Sequence, residues 1–119
     1  MLIGIVAMLT ACGSSSVAHD PIMFGITGGN IAPYRVSIQP NGSVRGAVNR
    51  QIGSTRVRRL RNEIAQSHLT SHTCAGVLPD VASRYIRVGP RTVTVHGGCE
   101  ASFNRAWSDL SQAVGLRAG

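Results

Sequence analysis

The stretch RYIRVGPRTVTVH, residues 84–96, decides the fold of this chain. Two short runs of β-branched and aromatic residues, 84–88 and 91–96, are separated by Gly89-Pro90, a strong turn signal. In the second run two valines alternate with two threonines, as in a strand with one buried face and one solvent-exposed face. This pattern predicts an antiparallel hairpin.

The chain before this hairpin predicts three more strands. Residues 22–27 are apolar enough for a first strand, and the Gly28-Gly29-Asn30 break ends it. Residues 34–39 alternate apolar and polar side chains and lead into Pro40-Asn41-Gly42-Ser43, which favours a tight turn. Residues 43–48 then form the returning strand.

Two segments have the periodicity of amphipathic helices. Residues 54–67 place apolar side chains at helical spacing, and Ser54 or Thr55 is expected to cap the N-terminus. Residues 101–114 carry a single apolar stripe that includes Trp107, which we expect to be a core anchor, and Gly115 suits a helix C-terminus.

The resulting order, β-β-β-α-β-β-α, predicts the fold class. Two hairpins and two amphipathic helices favour an antiparallel sheet with both helices on one face, an α+β two-layer sandwich. We expect residues 21–119 to form this single small domain.

The N-terminus carries an export motif. An apolar run ends in Leu9-Thr10-Ala11-Cys12, and Gly13-Ser14-Ser15-Ser16 follows; no Lys or Arg precedes Cys12. The four motif residues resemble the lipobox of bacterial lipoproteins. The resemblance implies a signal peptide over 1–11, a diacylglyceryl thioether on Cys12 and a flexible tether over 12–20. Membrane lipid would then be a partner through the acylated cysteine, and the domain would face the extracytoplasmic side of the cell membrane.

Composition narrows the remaining partners. The 119-residue chain has a formal charge of +7 and a pI near 11.0, and all twelve basic residues are Arg. A strongly basic protein often binds nucleic acid. Because the N-terminal motif predicts export from the cytoplasm, where nucleic acid is found, we predict no nucleic-acid partner. Anionic lipid headgroups or wall polymers are alternative counterparts. A solvated basic surface without a dedicated partner is the interpretation we favour.

The three cysteines fit an oxidising compartment. With Cys12 used for lipid, Cys74 and Cys99 remain as an even pair, and we predict a disulfide between them. The alternative is a metal site built from His68, His72, Cys74 and His96, but this spacing matches no strong zinc pattern. We therefore predict neither a metal nor a cofactor.

No catalytic motif is recognisable. The five acidic residues form no obvious acid–base pair, no serine lies in a Gly-x-Ser-x-Gly elbow, and His96, Glu100 and Asp80 make a triad only on paper. We predict that the protein is not an enzyme, although an unrecognised site remains an alternative.

A second resemblance concerns the domain itself. Residues 24–114 resemble emfourin-type inhibitors of thermolysin-like metalloproteases in the order of a Gly-Gly break, a Pro-Asn-Gly hairpin, a helix, and strands containing Asp80, Arg84, Tyr85 and 91–95. The resemblance implies that an exposed loop contacts a protease. The segment from Gly28 to Pro33 is the candidate, with Gly28, Gly29, Asn30 and Ile31 at its centre.

Two functions follow from these observations. The leading one is a membrane-anchored cell-envelope lipoprotein with a small non-catalytic binding domain of unknown ligand. The alternative is a surface-tethered inhibitor of thermolysin-like metalloproteases.

Overall fold

In the computed structural model, which describes residues 20–116, a seven-stranded sheet packs against two helices through one apolar core. The strands are β1 (Ile22–Thr27), β2 (Tyr34–Ile38), β3 (Ser43–Gly46), β4 (Arg50–Gln51), β5 (His72–Thr73), β6 (Ser83–Val88) and β7 (Arg91–His96). The helices are α1 (Ser54–Gln66) and α2 (Ala101–Val114). The predicted α+β two-layer sandwich is confirmed. The predicted export motif at Leu9–Cys12 lies outside the described residues, as do the predicted signal peptide and most of the predicted tether.

The strand order is β4-β3-β2-β1-β6-β7-β5, so β1 lies in the middle of the sheet between two hairpins. Every pairing is antiparallel except that of β5, which lies parallel to β7. The sheet is therefore mixed, and the expectation of a purely antiparallel sheet needs this correction. Sequence patterns missed β4 and β5 because two residues are too few to show alternation.

The core forms where one face of the sheet meets both helices. Ile22 and Phe24 of the central strand are fully buried, and Phe24 meets the indole of Trp107 edge-on with ring centroids 5.4 Å apart. Phe103 packs against the same indole at 6.1 Å. Trp107 is only 7% exposed, which confirms that it anchors the core.

The helix termini partly agree with prediction. α2 has the predicted bounds, and Gly115 ends it with a φ of 81° in the left-handed region. The predicted cap of α1 by Ser54 or Thr55 is wrong. The helix begins at Ser54 itself, after Gly53 with a φ of 85°, and no side chain caps it. The Gly53 carbonyl accepts the first backbone hydrogen bond of the helix, from the Val57 amide at 3.3 Å.

The Cys74–Cys99 disulfide is present, as predicted. It joins the loop after β5 to the loop after β7, with Cα atoms 5.9 Å apart. The Cys74 amide donates to the His96 carbonyl at 2.8 Å, which extends the short β5–β7 pairing to the bridge. The disulfide thereby ties the edge of the sheet to the start of α2.

Within residues 20–116, no helix is both long and apolar enough to cross a bilayer.

Candidate functional site

The two ends of β1 mark opposite ends of the domain. Its first residue, Ile22, pairs with Val88 beside the β6–β7 turn, and its last, Thr27, pairs with Ser83. Six residues of strand separate these ends by about 17 Å at 3.4 Å per residue. The chain therefore enters the domain at the β6–β7 turn, whereas the segment that follows β1 lies at the far end.

The far end is formed by two loops held against each other. The Asn30 amide donates to the Asp80 carbonyl at 3.1 Å. Gly29 has a φ of 66°, and a Cβ there would lie 2.6 Å from the Ala82 amide nitrogen. Only glycine fits this close approach, so the predicted contact loop is fixed by its packing on residues 80–82.

These two loops carry the exposed large apolar side chains of the described chain. Ile31 is 57% exposed, Leu78 is 64% exposed and Val81 is 44% exposed. Leu78 and Val81 belong to one turn, in which the Val81 amide donates to the Leu78 carbonyl at 3.1 Å. Clustered exposed apolar side chains are typical of an interaction surface, whereas scattered ones are not.

An open cleft of about 580 Å³ lies between these loops and the start of α2. Its walls combine apolar, aromatic and polar groups, namely Ile26, Ile31, Tyr34, Val81, Ala82, Arg84, Gly97, Gly98, Asn104 and Trp107. We refer to it as the loop cleft.

Among residues 20–116, Arg84 is the only charged residue that lines the loop cleft. It occupies a core-facing position of β6, paired with Ile26 of β1, and its guanidinium carbon lies 5.1 Å from the Phe103 ring centroid and 5.6 Å from that of Trp107. Its Nη2 donates to the Gly97 carbonyl at 3.0 Å and to the Asn104 Oδ1 at 2.7 Å. Two rings and two acceptors thus hold the cation in one orientation.

The electrostatics of the loop cleft favour an anion. Among residues 20–116 no carboxylate oxygen lies within 4.0 Å of Arg84. Burial lowers the pKa of Arg84, and burial raises the pKa of Tyr34 against the opposing charge of Arg84. A carboxylate that entered the cleft would supply the missing counter-charge and offset the cost of burying Arg84.

The alternative metal donors are arranged differently from the predicted set. His72, Cys74 and Cys99 have ligand atoms within 4.8 Å of one another, while His68 and His96 are outside this group. Both sulfur atoms are joined in the disulfide, so thiolate ligands would form only after reduction.

The hypothetical triad of His96, Glu100 and Asp80 does not show the contacts of a catalytic triad. His96 Nε2 contacts the Val81 carbonyl oxygen at 2.7 Å. Glu100 instead lies beside His72, with Nδ1 and Oε1 3.7 Å apart.

Sequence reasoning found one side of the loop cleft and missed the other. Gly28, Gly29, Asn30 and Ile31 are exposed, and Ile31 lines the cleft. Arg84 lies outside the predicted contact loop, although a charged residue two positions before the core-facing Ile86 is a sequence signal for a cation drawn towards the core.

Comparison with known proteins finds no match among family models, curated proteins or solved structures. The lipobox and the emfourin resemblance therefore remain predictions.

Proposed function

We propose that this chain is a cell-envelope lipoprotein, anchored through acylated Cys12, whose non-catalytic domain binds a protein partner at the loop cleft. The observation that carries the proposal is that the exposed side chains Ile31 and Val81 line the same cleft as Arg84, a cation without a carboxylate partner among the described residues. A partner segment with an apolar side chain next to an Asp or Glu fits both features.

The position of the anchor supports this function. The tether would join the domain at Asp20, near the β6–β7 turn, and the loop cleft lies at the other end of β1. Anchoring through Cys12 therefore leaves the loop cleft at the end of the domain away from the attachment point, where it is accessible to other envelope proteins. Two acyl chains give stable attachment where one does not.

Fractionation tests the anchor. We expect C12S to move the protein from the membrane fraction to the soluble fraction, while S14A, two residues away, stays in the membrane fraction. A C12S protein that remained membrane-bound would contradict lipid anchoring.

Site-specific crosslinking tests the binding surface. A photoreactive residue at position 31 of the lipidated chain should give a discrete crosslinked product in intact cells, whereas one at Thr92, exposed on β7, should not. Adding V81D or R84Q should abolish the product from position 31, and R45Q, a charge change on β3, should preserve it. Equal products from positions 31 and 92 would count against a dedicated surface.

Protease inhibition is the second candidate, favoured by one observation. Ile31 projects from a loop that is already fixed by the Asn30–Asp80 hydrogen bond, and a preformed loop binds a protease cleft at low entropic cost. The protein should then inhibit a thermolysin-like metalloprotease in a peptide-cleavage assay, and I31D should abolish inhibition while R45Q does not. Unchanged protease activity at micromolar protein would dismiss this candidate.

A further inference from the structure

A second cavity lies at the opposite end of the domain, where the tether enters. It has a volume of about 300 Å³ and lies between α1, the residues after it and the β6–β7 hairpin. Its wall is apolar, and Ile64, Ile86, Val88 and Val93 contribute to it. We refer to it as the hairpin cavity.

Two arginines border this apolar space. Arg61 Nη2 donates to the Asp20 carbonyl at 2.7 Å, and a guanidinium nitrogen of Arg91 donates to the Leu69 carbonyl. These bonds hold both cations at the hairpin cavity, whose other lining residues in the described part of the chain are all apolar.

The two cations are not equally neutralised. The Asp20 carboxylate acts on Arg61, where it opposes the lowering of the Arg61 pKa by burial. Within residues 20–116 no carboxylate oxygen lies within 4.0 Å of Arg91. The hairpin cavity therefore has a net positive charge at its border, and an anionic group is the complement that Arg91 lacks.

We propose that the hairpin cavity binds a free fatty acid, with the hydrocarbon chain in the apolar space and the carboxylate on Arg91. The volume is at the small end of the range for ligand sites, roughly 300–1,000 Å³, which suits one narrow chain better than a bulky ring system. An uncharged apolar ligand would leave Arg91 uncompensated, and a cationic amphiphile would be repelled. The hairpin cavity and the loop cleft are lined by different residues, so fatty-acid binding here does not depend on partner binding there.

Titration calorimetry with dodecanoate, below its micelle concentration, tests the proposal on the full-length C12S protein. We expect dodecanoate to bind saturably with 1:1 stoichiometry. Dodecanol and dodecyltrimethylammonium should bind at least about tenfold more weakly, because a charge-assisted hydrogen bond contributes at least that factor to the affinity. R91Q should weaken dodecanoate binding about tenfold, while R45Q, which removes the same charge far from the cavity, should leave it unchanged.

A second variant tests the apolar space. A65F places a large side chain at a residue that lines the hairpin cavity and should abolish binding of dodecanoate. If A65F does not fold, as judged by circular dichroism, R91Q with its matched control still decides the matter, since Arg91 is exposed and outside the core. No saturable binding, equal binding of dodecanol, or an unchanged affinity in R91Q would overturn the proposal. Binding only to phosphatidylglycerol vesicles would also overturn it and would indicate a headgroup surface instead.

Discussion

Removal of the Cys74–Cys99 disulfide should be the most informative perturbation of this domain. The bridge closes a loop with a sequence separation of 25. In the chain-entropy model a loop of this length restricts the unfolded chain by about 3.5 kcal/mol at 25 °C. Since small domains are stable by only about 5–15 kcal/mol in total, the C74A/C99A variant should lose a large share of its stability.

Urea unfolding followed by Trp107 fluorescence measures this loss, because the indole is buried beside Phe24 and Phe103. We expect the free energy of unfolding to fall by about 3–4 kcal/mol and the melting temperature to fall by roughly 15–25 °C. A reducing agent should lower the wild-type midpoint toward that of the variant and leave the variant itself unchanged. C12S supplies the control for loss of a cysteine outside the disulfide.

A change below about 0.5 kcal/mol in C74A/C99A would refute the reasoning. The covalent link would then add nothing to the backbone contacts around it, such as the hydrogen bond from the Cys74 amide to the His96 carbonyl.

Two further predictions concern a turn and a carboxyl pair. G42A should lower the free energy of unfolding by about 2 kcal/mol or more, because the φ of Gly42 is 91° and a Cβ there would lie 2.4 Å from the Gly53 nitrogen. G28A should lower it by only about 1 kcal/mol, because Gly28 is also at positive φ but a Cβ there would have no atom within 4 Å. Equal losses for the two variants in urea unfolding would contradict this expectation. The pKa of Glu63 is raised to about 7, first by a side-chain hydrogen bond with Asp109, then by burial and by charge repulsion from Asp109. The positive charge of Arg105 opposes this rise. The folded state thus binds this proton more tightly than the unfolded state, so the contribution is complete below about pH 4.5 and is lost as the pH rises through 7. Because the pair is partly open to solvent, we expect a loss of no more than about 1 kcal/mol, and the same pH dependence in E63Q would argue against the assignment.

Local patterns were sufficient for the elements whose residues repeat a clear period. β1, β7 and α2 have the predicted bounds, because alternation and a helical apolar stripe are set by side chains within one element. The disulfide was equally accessible, since one even pair remained after Cys12 was assigned to lipid.

The cap of α1 was not predictable in the same way. A serine or threonine at a helix start is a good statistical cap, but the N-cap position falls one residue earlier, at Gly53, which has no side chain to accept from the free amides. Where the helix starts depends on how β4 leads into it, and a two-residue strand leaves no pattern in the sequence.

The sequence by itself determined the fold class, the disulfide and the exposed loop around Gly29. Only the tertiary structure decided that this loop packs on residues 80–82, that Arg84 lies over two aromatic rings without a carboxylate partner in the described chain, and that an apolar cavity borders Arg91. The physical reason is that periodicity reports which side of an element is buried. Clefts and unpaired charges depend instead on contacts between segments distant in the chain, and no local pattern encodes those contacts.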